Sequence, residues 1–227
     1  MKITSALISV TVIAFLSAEV ARADIPGVAW QAGELVMWNN TSLAGDVSYN
    51  WSTETVLLRQ RNGQIRSYSA HTVRQFGWFD HNQHKYRQFL SLASPTGSDV
   101  ILHRFYELCL DGSLTVIRRL RRPHGLFKRT FSHPAHYADT QELAQTSEQF
   151  DYFVYDEGEF LTFDRFHSDI YTPKLITHDR ELQHFQRIHN INDRSLLGRL
   201  VLIDHYNFLM KQDQKTASIR NASKVPD

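Results

Sequence analysis

Apolar and polar residues alternate most regularly between residues 43 and 51 of the chain. One face of this segment would carry Leu43, Gly45, Val47, Tyr49 and Trp51. A period of two predicts a half-buried β-strand. Further short apolar runs occupy residues 35–38, 56–60 and 64–69, and Asn62-Gly63 between the last two favours a two-residue hairpin turn. The pattern therefore predicts an antiparallel meander, curled into a small barrel or packed under another layer.

The same type of pattern continues through the first half of the chain. Strands are predicted at residues 77–80, 85–92, 101–110, 113–120 and 126–131. Asp111-Gly112 is a second strong hairpin signal, because Asp-Gly pairs are frequent in tight turns. Residues 24–131 are therefore predicted to form a β-rich region with seven to nine strands.

The pattern changes character around Ser132. A last short strand is predicted at residues 152–155, but most of residues 132–211 favour helices. The clearest helix covers residues 195–211, where the apolar stripe is wide enough to form a packing face and Asp193 is the predicted N-terminal cap. Residues 212–227 are predicted to form a flexible tail. The predicted fold class is α+β, with the helical part packed on the sheet.

Charge is divided unevenly between the two halves. Residues 24–137 carry 13 basic and 8 acidic side chains, whereas residues 138–227 carry 10 basic and 15 acidic ones. We expect the oppositely charged halves to dock on each other. The balance of the whole chain is close to neutral, with a net charge of +1, which disfavours dedicated nucleic-acid binding.

Residues 1–23 have the pattern of a secretory signal peptide. Lys2 forms a short positive region, residues 3–20 are mostly apolar, and Ala21-Arg22-Ala23 is a small-x-small cleavage site. The mature chain is predicted to begin at Asp24 and to lie in the periplasm, at the outer membrane or outside the cell. No later stretch approaches the ~18 apolar residues of a transmembrane helix, so none is expected in the mature chain.

Several stretches of the chain resemble those of a known protein family. They are the strand led by Gly33, the segment Leu43–Trp51, the segment Tyr68–Phe76, the Asp111-Gly112 turn with its basic strand, and Tyr206-Asn207 in the last helix. With these residues the chain resembles a family of exported bacterial proteins that has an N-terminal β-rich region and no known function. The resemblance implies a shared fold and export, and it implies no particular activity.

The densest run of charge is basic and lies between residues 118 and 129. Its candidate ligand-binding residues are Arg119, Arg121, Lys128 and Arg129, which would bind an anionic glycan, lipid headgroup or nucleic acid. In a hairpin turning at residues 122–125, like charges would face each other, which destabilises a strand pair. The alternative is therefore that the run is neutralised internally, for instance by Asp156, Glu157 and Glu159.

Other chemically active residue types give weaker signals. Cys109 is the only cysteine, so an intramolecular disulfide is excluded and a buried, inert thiol is predicted. The closest histidine pairs are His81 with His84, His133 with His136, and His184 with His189; none is accompanied by further ligands at a metal-binding spacing. Neither a metal nor another cofactor is predicted. The many aromatic residues between 49 and 89 could stack on sugars, but they fit a sheet core better.

Three functional hypotheses remain. The first is a non-catalytic binding or structural module of the bacterial envelope, with a protein or an anionic polymer as its partner. The second is a polyanion-binding module that uses the basic segment 118–129. The third is an envelope hydrolase acting on glycan or peptide, with catalytic residues that no motif identifies. The hydrolase requires titratable groups with shifted pKa values in one pocket, whereas the module requires a surface suited to a partner.

Overall fold

The computed structural model describes residues 29–94, 102–121 and 147–222. Within these ranges ten strands form one antiparallel sheet: β1 (Gln31–Met37), β2 (Ser42–Asn50), β3 (Thr55–Arg59), β4 (Ile65–Tyr68), β5 (Val73–Asp80), β6 (Lys85–Ser94), β7 (Leu102–Leu110), β8 (Thr115–Leu120), β9 (Phe150–Asp156) and β10 (Glu159–Thr162). Their order across the sheet is β10-β9-β8-β7-β6-β5-β1-β2-β3-β4.

The helical part follows the last strand. It consists of a 3-10 helix at Phe163–Arg165, a π-helical segment at Phe166–Leu175, a 3-10 helix at Ile176–His178, and the α-helices α1 (Asp179–Ile188) and α2 (Leu196–Ala222). A further 3-10 helix, Ser147–Gln149, precedes β9. The predicted α+β class is confirmed. No helix in the described ranges is both long and apolar enough to span a membrane.

The sheet is strongly curled. In a flat sheet, strands six positions apart, such as β2 and β9, would lie roughly 29 Å from each other. Trp51, which follows β2, nevertheless packs against Phe150 of β9 with ring centroids 5.1 Å apart. Tyr49 of β2 likewise meets Phe105 of β7, at 5.8 Å. The inner face of the curl is thus lined by aromatic rings, as the alternation at residues 43–51 predicts.

The connection from β4 to β5 shows the same curl. These two strands are separated by β3, β2 and β1 in the sheet, yet only four residues join them. The connection is itself a compact turn, in which Thr72 and Val73 donate backbone hydrogen bonds to the Ser69 carbonyl. Strands β1–β5 therefore wrap nearly around on themselves. Within this region Gly33 permits the close pairing of β1 with its neighbour β5, because a Cβ there would collide with the Gly77 carbonyl oxygen of β5.

Two predicted turns form at the expected positions but by different means. At Asn62-Gly63 only the glycine has a positive φ (81°), and Gln60 donates its backbone N–H to the Gln64 carbonyl. The loop is therefore longer than the predicted two-residue turn. At Asp111-Gly112 the glycine is required for space, because a Cβ at Gly112 would lie 2.5 Å from the Asn207 Cγ of α2.

Asn207 joins the last helix to the sheet. Its Oδ1 accepts a hydrogen bond from the Leu114 N–H, and its Nδ2 donates to the Leu114 carbonyl, both at 2.8 Å. The side chain therefore satisfies both backbone groups of a buried residue. Around it, the helical part contributes Phe166, Ile170, Leu182, Leu202 and Ile203 to the same hydrophobic core that the inner face of the sheet forms.

The boundaries of α2 differ from the prediction. Ser195 accepts a hydrogen bond from the Gly198 N–H through its Oγ (3.0 Å), so it takes the capping role that the sequence suggested for Asp193. The helix also continues to Ala222 through part of the predicted tail. Residues 212–222 lack glycine and proline, so nothing in their sequence ends the helix.

Of the ion pairs in the described ranges, Arg121–Asp151 joins a base of the first half of the sequence to an acid of the second half, at 2.7 Å. Lys174 of the helical segment pairs with Asp156 of β9 at 2.5 Å, and both of these residues belong to the second half. The docking of oppositely charged halves stays a prediction. Several predictions lie outside the described residues: the signal peptide, the strand at 126–131, His133, His136, and residues 223–227.

Candidate functional site

Strand β8 carries the beginning of the basic run, and both of its edges are occupied. Arg118 lies opposite Glu107 of β7 on one side and opposite Tyr152 of β9 on the other, and Arg119 lies opposite Asp151 of β9. In the hypothetical hairpin Arg119 would lie opposite residue 128 and Arg118 opposite residue 129. Because β7 and β9 already occupy both edges of β8, this pairing is wrong. Lys128 and Arg129 themselves lie outside the described residues.

Arg118 belongs to a buried charge cluster on the inner face of the sheet. Glu107 accepts a hydrogen bond from Arg87 Nε at 2.7 Å through one oxygen, and from Arg118 Nε at 2.7 Å through the other. The side chains of Arg87 and Glu107 are each only 2% exposed. Arg87 lies over the Trp78 ring and Arg118 over the Phe150 ring. We call Arg87, Glu107 and Arg118 the sealed cluster.

The sealed cluster is held in one charge state. Burial alone would raise the pKa of Glu107, but Arg87 and Arg118 outweigh it and hold this pKa below its usual value. Cys109 lies nearby, and burial followed by the Glu107 charge raises the pKa of its thiol to about 12. A thiol with such a pKa is not a nucleophile at neutral pH, so the predicted inert cysteine has a physical cause.

Arg119 faces the outer side of the sheet, where it contacts Tyr106. Its Nη1 donates to the Tyr106 hydroxyl at 3.4 Å, and the guanidinium carbon lies 5.5 Å from the centre of the ring. Phe153 and Phe160 pack on the same tyrosine, with ring centroids at 6.1 and 5.1 Å. Arg119 is therefore part of an outer aromatic layer, and only some of its surface faces solvent.

Arg121 lies in a cleft at the N-terminal end of β9. The cleft has a volume of about 400 Å³ and lies between the end of β10, the start of α2 and β9 itself. We call it the edge cleft; its lining includes Arg121, Glu148, Phe150, Thr162, Asp164 and Arg199. Arg121 is 59% exposed and donates to Asp151 at 2.7 Å. This hydrogen bond raises the pKa of the guanidinium further.

The edge cleft contains charged side chains with hydrogen-bond partners and charged side chains without them, within the described ranges. Arg199 donates through Nε to the Asp193 carbonyl (2.8 Å) and through Nη1 to the Phe163 carbonyl. Glu148 and Asp164 are exposed, and within the described ranges neither forms a hydrogen bond or an ion pair. In the described part of the basic run, Arg118 pairs with Glu107 and Arg121 with Asp151. Asp156, one of the proposed acidic partners, pairs with Lys174.

Two other clefts are less distinctive. A cleft of about 500 Å³ over β1, β2 and β3 has a floor of small residues, including Gly33 and Gly45, and its Asp46 and Arg59 pair with each other at 3.0 Å. A smaller one of about 220 Å³ lies beside Glu34 and Tyr86. Among the described residues no group of three or more histidine, cysteine, aspartate or glutamate side chains could hold a metal ion.

Sequence reasoning found Arg121 but not its surroundings. Glu148 lies in a short 3-10 helix and Asp164 follows a four-residue strand, and neither belongs to a recognisable motif. Only the pairing of β9 with β10 brings them to one cleft.

The chain stands apart in comparisons with known proteins. No family model, no curated protein and no solved structure matches it. The geometry of the clefts is therefore the basis for a functional assignment.

Proposed function

We propose that this chain is an exported, non-catalytic binding module of the bacterial envelope, and that its partner binds in the edge cleft. Export is inferred from the signal pattern at residues 1–23, and it agrees with the resemblance to exported bacterial proteins. The cleft supports binding because its volume lies in the range of ligand sites, and because its lining combines four aromatic rings with polar and charged side chains.

One observation carries the non-catalytic assignment. The groups with the most altered chemistry on the inner face are Glu107, which is buried, and Cys109, which is partly buried against the core. At the edge cleft, Arg121 is held by Asp151 and Arg199 is held by two backbone carbonyls. Such pairing fixes the shape of a binding surface, and the two carboxylates of the cleft that are unpaired within the described ranges, Glu148 and Asp164, are exposed. A hydrolase needs titratable groups that are poised to exchange protons with a bound substrate.

The polyanion hypothesis receives less support from the geometry. Arg119 is engaged with Tyr106, and Arg121 is flanked by Asp151, with Glu148 and Asp164 in the same cleft. A polyanion would meet these carboxylates as it approached. We therefore expect weak retention on heparin at about 0.15 M salt, unchanged when Arg119, Arg121, Lys128 and Arg129 are all replaced by serine. Strong retention that this variant loses would favour the polyanion hypothesis instead.

A steric block of the cleft tests the proposal. Thr162→Trp places an indole at the exposed last residue of β10, inside the cleft. Ser67→Trp is the matched control, since Ser67 is an exposed residue of another four-residue strand, β4, and does not line this cleft. Each form is crosslinked in the host envelope and its bound material is recovered.

We expect the original chain and Ser67→Trp to recover the same partner and Thr162→Trp to lose it. Equal recovery by all three forms would show that the edge cleft is not the binding site. If the purified protein hydrolysed envelope glycan or peptide, the binding-module proposal would be wrong and the hydrolase hypothesis would be favoured.

A further inference from the structure

We infer that the outer face of β1, β5 and β6 binds a neutral glycan, which stacks on the Tyr86 ring and is held at its hydroxyl groups by Glu34, Gln75 and Gln88. This site shares no lining residue with the edge cleft, so the inference goes beyond the proposed function. Three features of the surface support it: an exposed ring that the sheet holds in place, polar side chains beside the ring, and balanced charge.

The strand register places the site on the outer face of the sheet. One row of cross-strand partners runs through β1, β5 and β6: Glu34, Gly77 and Gln88. The next row, formed by Leu35, Phe76 and Phe89, belongs to the hydrophobic core. Successive residues of a strand face opposite sides of the sheet. The row that contains Glu34 therefore faces away from the core.

Gly77 allows the Tyr86 ring to lie over the sheet. Tyr86 is the cross-strand partner of Phe79, but its ring extends diagonally over Gly77. A Cβ on Gly77 would lie 2.7 Å from the Tyr86 hydroxyl oxygen and 2.9 Å from Cε1. Tyr86 is nevertheless 52% exposed, and Phe79 beside it is exposed as well. The sheet therefore supports the ring while about half of its surface faces solvent.

Polar side chains lie around the ring in the cleft of about 220 Å³, whose lining includes Glu34, Gln75, Tyr86 and Gln88. Gln88 donates to Gln75 at 3.5 Å, and Ser42 donates to Glu34 at 3.4 Å. These are long hydrogen bonds, and each amide and carboxylate can form others. Burial, followed by the charge of Glu34, raises the pKa of the Tyr86 hydroxyl, so this hydroxyl keeps its proton and can donate to a ligand.

A sugar ring matches this arrangement chemically. The C–H groups on one face of a pyranose pack against an aromatic ring, and its hydroxyl groups both donate and accept hydrogen bonds. A peptide cannot add to this surface as a strand, because β1, β5 and β6 each have a neighbouring strand on both sides. Their backbone groups are used within the sheet. A ligand must therefore be held by side chains.

The cleft of about 500 Å³ over β1, β2 and β3 continues the site across the sheet. The two clefts meet where Ala44 of the larger one pairs with Glu34 of the smaller one. Together they cross five neighbouring strands, from β6 to β3, a distance of roughly 19 Å along the surface. This length suits a short linear chain of sugars better than a single sugar.

The charge of the two clefts favours a neutral chain. Their lining carries the acids Glu34 and Asp46 and the bases Arg59 and Arg61, which balance each other. Asp46 and Arg59 also pair directly, at 3.0 Å. Binding of an acidic glycan or a nucleic acid would require an excess of basic groups. The surface therefore selects a glycan without charge.

Calorimetric titration of the whole protein tests the inference. The ligands are cellohexaose, chitohexaose and mannohexaose, with a heparin hexasaccharide as the acidic comparison. We expect at least one neutral hexamer to bind with a Kd of about 1 mM or lower, and its dimer to bind roughly tenfold more weakly, a step of about 1.4 kcal/mol. The heparin hexasaccharide should bind more weakly than that neutral hexamer.

Matched variants identify the groups that hold the glycan. Tyr86→Ala should weaken binding by roughly tenfold or more, whereas Tyr86→Phe, which keeps the ring, should stay within about threefold. Phe208→Ala is the control, because Phe208 of α2 is 53% exposed and lines none of the three clefts described above. Gln88→Leu should also weaken binding by roughly tenfold, and Gln186→Leu on α1 should leave it unchanged.

Three results would overturn the inference: no neutral hexamer binding at about 1 mM, binding that Tyr86→Ala leaves unchanged, or tighter binding of the heparin hexasaccharide than of every neutral hexamer. Loss of glycan binding in Thr162→Trp would also overturn it, because the glycan would then occupy the edge cleft. If Thr162→Trp loses the envelope partner while no glycan binds, the binding module stands and only the glycan inference fails.

Discussion

Arg118 and Arg121 lie three residues apart on one strand and its end, and they have opposite environments. The Arg118 side chain is 8% exposed and shares Glu107 with Arg87 on the inner face of the sheet. The Arg121 side chain is 59% exposed and pairs with Asp151 at the edge cleft. One run of basic residues in the sequence therefore contributes to two different regions, the sealed cluster and the edge cleft.

The two regions differ in how much stability is lost when the carboxylate of each ion pair is removed. In the sealed cluster, removing Glu107 would leave buried guanidinium groups without their shared carboxylate, which is costly in a medium of low polarity. At the edge cleft, water can solvate either partner when the other is removed, so the ion pair contributes little to stability. The sealed cluster therefore tolerates loss of its carboxylate poorly, whereas the ion pair at the edge cleft can be changed with little effect on stability.

The largest expected effect comes from breaking the sealed cluster. Glu107→Gln keeps the shape of the side chain but removes the charge that Arg87 and Arg118 share. We expect the free energy of unfolding to fall by about 3–5 kcal/mol, as measured by urea denaturation at neutral pH. Asp151→Asn, the matched change at the exposed pair, should cost less than about 1 kcal/mol. Equal losses in the two variants would contradict the distinction between the regions.

The next effect concerns the helix that covers the inner face. Asn207→Ala removes both hydrogen bonds to Leu114 and leaves buried backbone groups unsatisfied, so we expect a loss of about 2–4 kcal/mol. Leu197→Ala on the same helix is the control, because Leu197 is 70% exposed, and it should change stability by no more than about 0.5 kcal/mol. An Asn207→Ala protein as stable as this control would show that the helix is held by the apolar core alone.

A smaller effect is expected from pH. The pKa of Glu107 is lower in the folded protein than in the unfolded chain, whose value is about 4.5. The folded state therefore gains stability from this group above that pH, and the gain is lost as the pH falls through the lowered folded-state pKa. The free energy of unfolding should decrease below about pH 4.5 more steeply for the original chain than for Glu107→Gln. Parallel pH profiles would assign the acid sensitivity to other carboxylates.

Much of the fold was predictable from local patterns. The alternation around Tyr49 identified the inner face of β2, and Asn62-Gly63 marked a turn where Gly63 has a positive φ. The extent of the curl was not predictable, because it depends on contacts between distant strands, such as that of Trp51 with Phe150. Nor could a local pattern show that Gly112 leaves room for Asn207, which lies 95 positions later in the chain.

The candidate site was less accessible to sequence reasoning than the fold. The basic run drew attention to Arg119 and Arg121, but burial and strand register decide their roles, and both are properties of the assembled sheet. Glu107 gave no signal within β7, although it is the partner of two arginines from neighbouring strands. The edge cleft depends on where β10 ends, and there Arg199 of α2 donates to the Phe163 carbonyl, a contact between distant parts of the chain.

The most direct test of the account is to locate the bound partner by hydrogen exchange. The exchange of backbone amides is measured in the whole protein with and without the partner recovered from the host envelope. We predict that protection on binding is concentrated at residues 147–153 and 162–164, at the edge cleft. Protection confined to residues 31–63, over the cleft of β1–β3, or no protection at any amide, would contradict the assignment of the edge cleft as the binding site.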